Sequence, residues 1–236
     1  MISLLFLGFL IGMRHALEAD HVAAIATLAS RTNSLHGALR QGAAWGLGHT
    51  LTLFLFGSVV ILMDSVMPKA FALKLELAVG CMLVILGLDV MRRLIRDRVH
   101  FHTHQHTPGV QHFHGHSHAG QQTHNPETHQ HQHPHAFPVR ALLIGLMHGM
   151  AGSAALILLT LDTIDSPVVG IAYMALFGLG SMLGMAALSV VIAIPFRSSA
   201  QGLTWLHNSL QATIGLATIA LGAYVVQDIG TQLTIL

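Results

Sequence analysis

Long apolar segments dominate this chain and constrain what it can fold into. Short polar stretches separate six of them, which cover residues 2–30, 40–63, 72–95, 138–161, 167–194 and 205–228. A helix needs about 20 apolar residues to cross the hydrocarbon core of a membrane. Backbone groups inside a bilayer must hydrogen-bond within their own segment, so a helix is the expected structure of each one. We therefore predict an all-α, polytopic membrane protein with six transmembrane helices.

The charge content excludes the soluble classes of protein. Asp, Glu, Lys and Arg together make up 9% of the 236 residues, whereas soluble domains carry about 25%. A soluble enzyme, a nucleic-acid-binding protein and a disordered chain are excluded on this ground, and the lipid bilayer is the expected surrounding. The single cysteine, Cys81, leaves no cysteine pair for a disulfide or a metal site.

One polar stretch, residues 100–135, interrupts the apolar sequence and holds 13 of the 19 histidines. Because so polar a sequence cannot bury enough apolar surface to fold, we predict a disordered loop. Histidine-rich tracts bind metal ions through their composition, and metal buffering is the expected role. Sensing of pH and mere tolerance of a repeat expansion are the alternatives. The loop separates two predicted three-helix units, residues 1–99 and 136–236.

The distribution of basic residues predicts the orientation in the membrane. Lys69 and Lys74 fall on one side of a six-helix arrangement, and eight arginines fall on the other: Arg31, Arg40, Arg92, Arg93, Arg96, Arg98, Arg140 and Arg197. The positive-inside rule then places the histidine-rich loop in the cytoplasm and both termini outside the inner (plasma) membrane. Asp89 lies four residues before Arg93, which is the spacing of an ion pair within a helix.

The two halves of the chain also resemble each other. The matching positions are residues 11–15 with 144–148, residues 45–49 with 177–181, and Gly80 and Gly87 with Gly215 and Gly222. The three offsets are 133, 132 and 135 residues, which are similar enough for a duplication. Three crossings are an odd number, so duplicated halves must run through the membrane in opposite directions. Inverted repeats with a substrate site between the halves, near the midplane, are a recurring design of secondary transporters.

Ionisable residues inside the apolar segments indicate a functional site, because unpaired charges in hydrocarbon are costly. The first segment holds five of them within eight positions: Arg14, His15, Glu18, Asp20 and His21. His15, His49 and His148 each lie near the middle of a different segment. Three histidines at one depth predict a shared polar site, and histidine with carboxylate suits Ni²⁺, Co²⁺ or Zn²⁺.

Helix geometry leaves the roles of the two carboxylates open. On a regular helix His15, Glu18 and His21 share one face, and Asp20 points away from it. Either the helix opens here, or Asp20 holds an imidazole of another helix in place. Glu18 lies four residues after Arg14 and is as well placed for an ion pair as for a metal. The candidate metal residues are His15, Glu18, Asp20, His21, His49 and His148.

Two motifs carry a resemblance to the nickel/cobalt transporter family. The string Arg-His-Ala-Leu-Glu-Ala-Asp-His over residues 14–21 and the Gly-His-Thr of residues 48–50 resemble the signatures on that family's neighbouring helices. Glu18 stands where the family usually has Asp. The resemblance implies that His15, Asp20, His21 and His49 handle the metal ion.

The second half departs from the family pattern. Residues 146–153 and 176–185 contain no acidic residue, whereas the family's later motifs carry carboxylates. The chain is therefore similar to a short six-span branch, either the urease-associated nickel permeases or the nickel/cobalt exporters with a histidine-rich loop. The resemblance also implies metallochaperones of urease or hydrogenase as partners.

The sequence thus predicts transmembrane transport of Ni²⁺ or Co²⁺ through a midplane His/carboxylate site, without a tightly bound cofactor. The chain lacks a Gly-x4-Gly-Lys-Ser/Thr string, which indicates a secondary transporter rather than an ATPase. A zinc or other divalent-metal transporter is the alternative, because ligand chemistry does not separate Zn²⁺ from Ni²⁺. An intramembrane hydrolase using Ser153 and a haem-binding cytochrome with axial histidines are less expected.

Overall fold

The computed structural model describes residues 2–32, 34–63, 68–97, 100–107, 110–116, 137–150, 166–200 and 204–235. These residues form, in order, α1 (Ile2–His15), α2 (Ala19–Ala29), α3 (Leu35–Met63), α4 (Lys69–Asp97), β1 (His100–Thr107), β2 (Val110–His116), α5 (Val139–His148), α6 (Pro167–Ala200) and α7 (Thr204–Ile235). Within these ranges, the predicted helical character of the apolar segments is confirmed.

Three of these helices are long and apolar enough to cross a membrane, and they cover Lys69–Arg96, Pro167–Ser199 and Trp205–Thr234. Three shorter apolar helices accompany them, at Ser3–His15, Ala19–Ala29 and Val139–His148. Helix α3 has 29 residues, but it carries polar side chains such as His49 in its middle. The structure therefore has the helices of a membrane protein, and its first apolar segment is divided in two.

The break in that first segment lies between His15 and Ala19, so the helix opens within residues 2–30, as one of the two alternatives for this region has it. Glu18 has an extended backbone, with φ −63° and ψ 146°. The amides of Leu17 and Glu18 donate to the carbonyls of Arg14 and His15, at 2.9 and 3.1 Å, which closes the end of α1. Irregular backbone is tolerated at membrane depth where it is buried in protein or lines a cavity. The break turns Asp20 toward the side of the other polar residues.

Helix α5 ends in the same way as α1. It stops at His148, and the amide of Met150 donates to the carbonyl of Met147 at 3.3 Å, as the amide of Leu17 does to the carbonyl of Arg14 in α1. His15 and His148 are equivalent positions of the predicted repeat, and each is the last residue of its helix. The remainder of the fourth apolar segment, residues 151–161, lies outside the described part of the chain.

Close helix packing surrounds these two helix ends. α1 and α3 both pack along α6, α5 packs along α3, and α4 packs along α7. The largest apolar cluster has Trp45, Leu83 and Met185 at its centre, all of them fully buried. Helices approach so closely at Gly12 and Gly145 that a Cβ atom there would collide with a backbone carbonyl. The two helix ends are therefore held by tight backbone contact.

The first part of the histidine-rich segment differs from the prediction of a disordered loop. Strands β1 and β2 pair antiparallel, with His100 opposite His116 and His104 opposite His112. Strand pairing uses backbone N–H and C=O groups, so it does not depend on apolar side chains. Residues 117–136 lie outside the described residues, and disorder there stays a prediction.

Candidate metal site

The opening of the first segment delivers four polar residues to one place. His15 is the last residue of α1, Glu18 lies in the break, and Asp20 and His21 form the first turn of α2. An unbroken helix would separate Asp20 from the face shared by His15 and His21. Both alternatives that the sequence leaves for this region are observed, because the helix opens and Asp20 also contacts His148 of α5.

Helices α3 and α5 add one histidine each. His49 Nε2 lies 3.1 Å from His15 Nε2, and the rings of His21 and His148 have their centroids 4.3 Å apart. The rings of His15 and His21 are also 4.3 Å apart. All four histidines are buried, with at most 4% of each exposed. The histidines predicted at one depth therefore form one cluster, and residues of both halves contribute to it.

Two sets of three residues in this cluster have metal-binding spacing. His15, His21 and His49 each offer a ring nitrogen, and these atoms lie within 4.8 Å of one another. Asp20, His21 and His148 form a second such set. His21 belongs to both sets. The structure thus brings five of the six candidate residues into ligand spacing, and the sixth, Glu18, lies beside His15.

The two carboxylates hold the histidine rings in defined orientations. His15 donates from Nδ1 to Glu18 Oε1 at 2.8 Å. His21 donates from Nδ1 to Asp20 Oδ1 at 2.9 Å, and His148 donates from Nε2 to Asp20 Oδ2 at 3.1 Å. These distances assign the proton of each neutral ring to the nitrogen that faces the carboxylate. The opposite nitrogen of each ring then keeps its lone pair free for a metal ion.

Several of these free nitrogens have no partner in the described structure. His21 Nε2, His49 Nδ1 and His148 Nδ1 are buried and make no hydrogen bond. Buried polar atoms are satisfied in most proteins, so three unsatisfied nitrogens in one cluster need an explanation. A metal ion accepts the lone pairs of neutral imidazoles.

Glu18 contacts His15, although its spacing in the sequence also allows an ion pair with Arg14. Its carboxylate is bonded to His15, and among the described residues it forms no ion pair with Arg14. The side chains of Glu18 and Asp20 are 45% and 32% exposed, whereas the rings that they hold are buried. The carboxylates therefore form the accessible edge of the site, and the imidazoles form its interior.

Aromatic packing around the cluster was not predicted. The ring of Trp45 lies 5.4 Å from the rings of both His21 and His148, and its buried Nε1 has no described partner. Phe177 lies 5.3 Å from His15. Trp45 and Phe177 are equivalent positions of the predicted repeat, as are His148 and His15. Trp45 lies four residues before His49, about one helical turn away. That spacing is the feature of the sequence that could have placed Trp45 on the same helix face as His49.

The comparisons with known proteins agree with this geometry. A family model described as NicO, high-affinity nickel-transport protein, matches residues 1–234. The chain is 34% identical over 230 residues to a urease accessory protein, UreH, of Bacillus sp. (strain TB-90), and the match covers 98% of this chain and 93% of that protein. No solved structure matches. The predicted resemblance is confirmed: the chain belongs to the NicO family of high-affinity nickel-transport proteins.

Proposed function

We propose that this chain moves Ni²⁺ across the membrane through the buried histidine cluster, which binds one ion at a time. Membership of a nickel-transport family gives the activity, and the cluster supplies a place for the ion. The observation that carries the proposal is the convergence of His15, His21 and His49, three buried imidazoles whose nitrogens lie within 4.8 Å of one another. His21 belongs to both three-residue sets, and its Nδ1 is bonded to Asp20, so one ring nitrogen of His21 remains to serve a single ion.

The ligand set that we propose is His15, His21 and His49. Metal–imidazole bonds in proteins are about 2.0–2.1 Å long, so an ion between His15 Nε2 and His49 Nε2 replaces their 3.1 Å hydrogen bond. The proton of His49 then moves to its Nδ1, because a ligating nitrogen must offer a lone pair. Glu18 and Asp20 then serve as carboxylates behind the ligating rings, where they fix the tautomers and raise the basicity of the ligands. An imidazole site also accepts Co²⁺, which we propose as a second substrate.

We further propose that residues 1–99 and 136–236 are inverted three-helix repeats. The close contacts between the two halves support this proposal. For each such contact, the equivalent residues of the repeat make a second contact of the same kind. Gly12 packs on the Phe177 carbonyl and Gly145 on the Trp45 carbonyl. Gly80 packs against Gly222, and Gly87 against Gly215. The site then lies between the halves, and movement of one half against the other exposes it alternately to the two sides.

The distribution of arginines supports one orientation of the protein in the membrane. We propose that the histidine-rich segment faces the cytoplasm of a cell whose inner membrane holds the protein. Similarity to a urease accessory protein supports a role in supplying nickel to metalloenzyme maturation. Metallochaperones of urease or hydrogenase are the partners that this role requires.

Histidine substitutions test the proposed site. His15→Ala, His21→Ala and His49→Ala should each abolish nickel uptake, because each removes one of three proposed ligands. His36→Ala is the matched control, since His36 is an exposed histidine on the same helix as His49. The measurement is the initial rate of radioactive nickel uptake into cells, with Co²⁺ and Zn²⁺ as competitors and the membrane content of each variant determined by immunoblot. Near-normal uptake by any two cluster variants would show that the ion passes elsewhere.

A further inference from the structure

Asp89 forms ion pairs with three arginines, at the ends of α2 and α5 that lie away from the histidine cluster. Its Oδ2 atom lies 3.3 Å from Arg140 Nη2 and 3.6 Å from Arg93 Nε, and it also contacts Arg31. The predicted pair with Arg93 is confirmed, but that contact lies within helix α4. The contacts with Arg31 and Arg140 join α4 to other parts of the chain, so they link elements that are separate in sequence.

The two arginines belong to the helices that carry the metal site. Arg31 follows the C-terminal end of α2, whose first turn holds Asp20 and His21. Arg140 lies in the first turn of α5, whose last residue is His148. Each helix therefore has one end at the site and the other end at Asp89. The two ends are about 15 Å apart in α2 and about 12 Å apart in α5, at a rise of 1.5 Å per residue.

Polar contacts at both ends connect α2 with α5. The described parts of the two helices share little direct packing. At the site end Asp20 bridges His21 and His148, and at the other end Asp89 bridges Arg31 and Arg140. Helix α5 is fixed on α3, because Gly145 and Gly149 lie directly against the carbonyls of Trp45 and His49. Helix α2 packs mainly on α6 and α7, and also on α4 and α3. The two carboxylates add the polar contacts that link α2 to α5.

The bridge at Asp89 is charged at neutral pH. Burial, and then the neighbouring charges of Arg93 and Arg140, lower the pKa of Arg31 to about 10. The guanidinium thus remains protonated at pH 7. Three cations around one carboxylate leave an excess of positive charge, so loss of the carboxylate would leave guanidiniums that repel one another.

We propose that Asp89 is a positioning residue for the metal site, which acts by setting the placement of α2 against α5 from the opposite end of both helices. This inference rests on the proposed function, because it assigns Asp89 a role in the same histidine site. A tilt of α2 by about 5° about its Arg31 end moves His21 by about 1.3 Å. A shift of that size is enough to spoil a metal site, since ligands must be held to about 0.5 Å.

The experiment compares Asp89→Asn, Arg31→Gln and Arg140→Gln with Arg92→Gln as the matched control. Arg92 is an exposed arginine of the same helix α4 and makes no described contact with Asp89. Two quantities are measured on the full-length protein: the ligand-field absorption of bound Co²⁺, and the KM and maximal rate of nickel uptake. Each spectrum is taken as the difference from a His21→Ala protein, which carries the same histidine-rich segment.

Asp89→Asn should raise the KM for nickel about tenfold and shift the Co²⁺ bands, with a smaller change in maximal rate. Arg31→Gln and Arg140→Gln should each give about a threefold increase, as expected for one partly exposed ion pair. Asp89→Glu keeps the charge and should restore KM to within about twofold of the original. Arg92→Gln should leave both quantities unchanged.

A merely structural role for Asp89 gives a different result. The variants would then melt at lower temperature, but the folded fraction would show an unaltered Co²⁺ spectrum and KM, and this result overturns the inference. Arg140→Gln keeps the test decisive if Asp89→Asn does not fold, because the Arg140 side chain is 53% exposed. Failure of the proposed function is a separate outcome: the original protein and His21→Ala would then have the same Co²⁺ spectrum.

Discussion

At the scale of single residues, Asp20 is the carboxylate that contacts two histidine rings of the cluster. Both of its oxygens are engaged, one by the ring of His21 from the first half and one by the ring of His148 from the second half. Carboxylates in this position behind metal ligands fix the orientation of the rings, and their loss costs about 10–100-fold in metal affinity or activity. Asp20 therefore links a histidine of the first half with a histidine of the second half.

Asp20→Asn separates a supporting role from ligation. The amide retains an acceptor oxygen but loses the charge and one acceptor, so we expect metal affinity and nickel uptake to fall about 10–100-fold. The number of ions bound at saturation should stay the same, because His15, His21 and His49 remain. Equilibrium dialysis against Ni²⁺ measures the affinity and the number of bound ions, with His21→Ala protein as the reference for binding by the histidine-rich segment. Nickel uptake is measured separately in cells. Full uptake by Asp20→Asn, or loss of the bound ion, would contradict this role.

At the scale of helices, the sequence contained the site residues but not the backbone that assembles them. His15, His21 and His49 could be identified because ionisable residues are rare in apolar segments. The end of α1 at His15 could not, since neither Gly nor Pro lies between Met13 and Ser30. The reason lies in the tertiary structure, because Asp20 reaches His148 of α5 only when the helix opens. Likewise, Arg31 and Arg140 were assigned to the membrane surface, and their shared contact with Asp89 depends on how three elements pack.

The contacts between helices predict which glycines the fold needs. Gly12→Ala and Gly145→Ala should each lower the free energy of unfolding by about 1–3 kcal/mol, because a methyl group would force the helix away from the carbonyl it packs on. Gly230→Ala is the matched control, since no atom of the described residues lies within 4 Å of a Cβ at that helical position. Thermal unfolding of purified protein in detergent is the measurement. Equal melting temperatures for Gly12→Ala and Gly230→Ala would show that the close approach is not required.

At the scale of the whole molecule, the histidine-rich segment stands apart from the helical site. It connects the two predicted repeats, where a long insertion disturbs neither three-helix unit. Its first part forms a β-hairpin, whereas the helices around the cluster pack on one another. A segment with 13 histidines is expected by its composition to bind several divalent ions. The helical site should therefore determine which metal is carried, and the segment should determine how much of it is near one side of the membrane.

Deletion of residues 100–135, with the ends joined by a short Gly/Ser linker, tests that division. We expect transport of the same metals, because all candidate ligands of the cluster remain. The concentration dependence should change instead, since a tethered buffer raises the local ion concentration beside the site. If the protein exports nickel, the deletion should weaken resistance mainly at low cytoplasmic metal. If it imports nickel, the segment acts after release, and initial uptake rates should hardly change.

Measurement of uptake and resistance over a range of nickel concentrations distinguishes the two directions. Complete loss of transport by a deletion protein that reaches the membrane would show that the segment is part of the ion path.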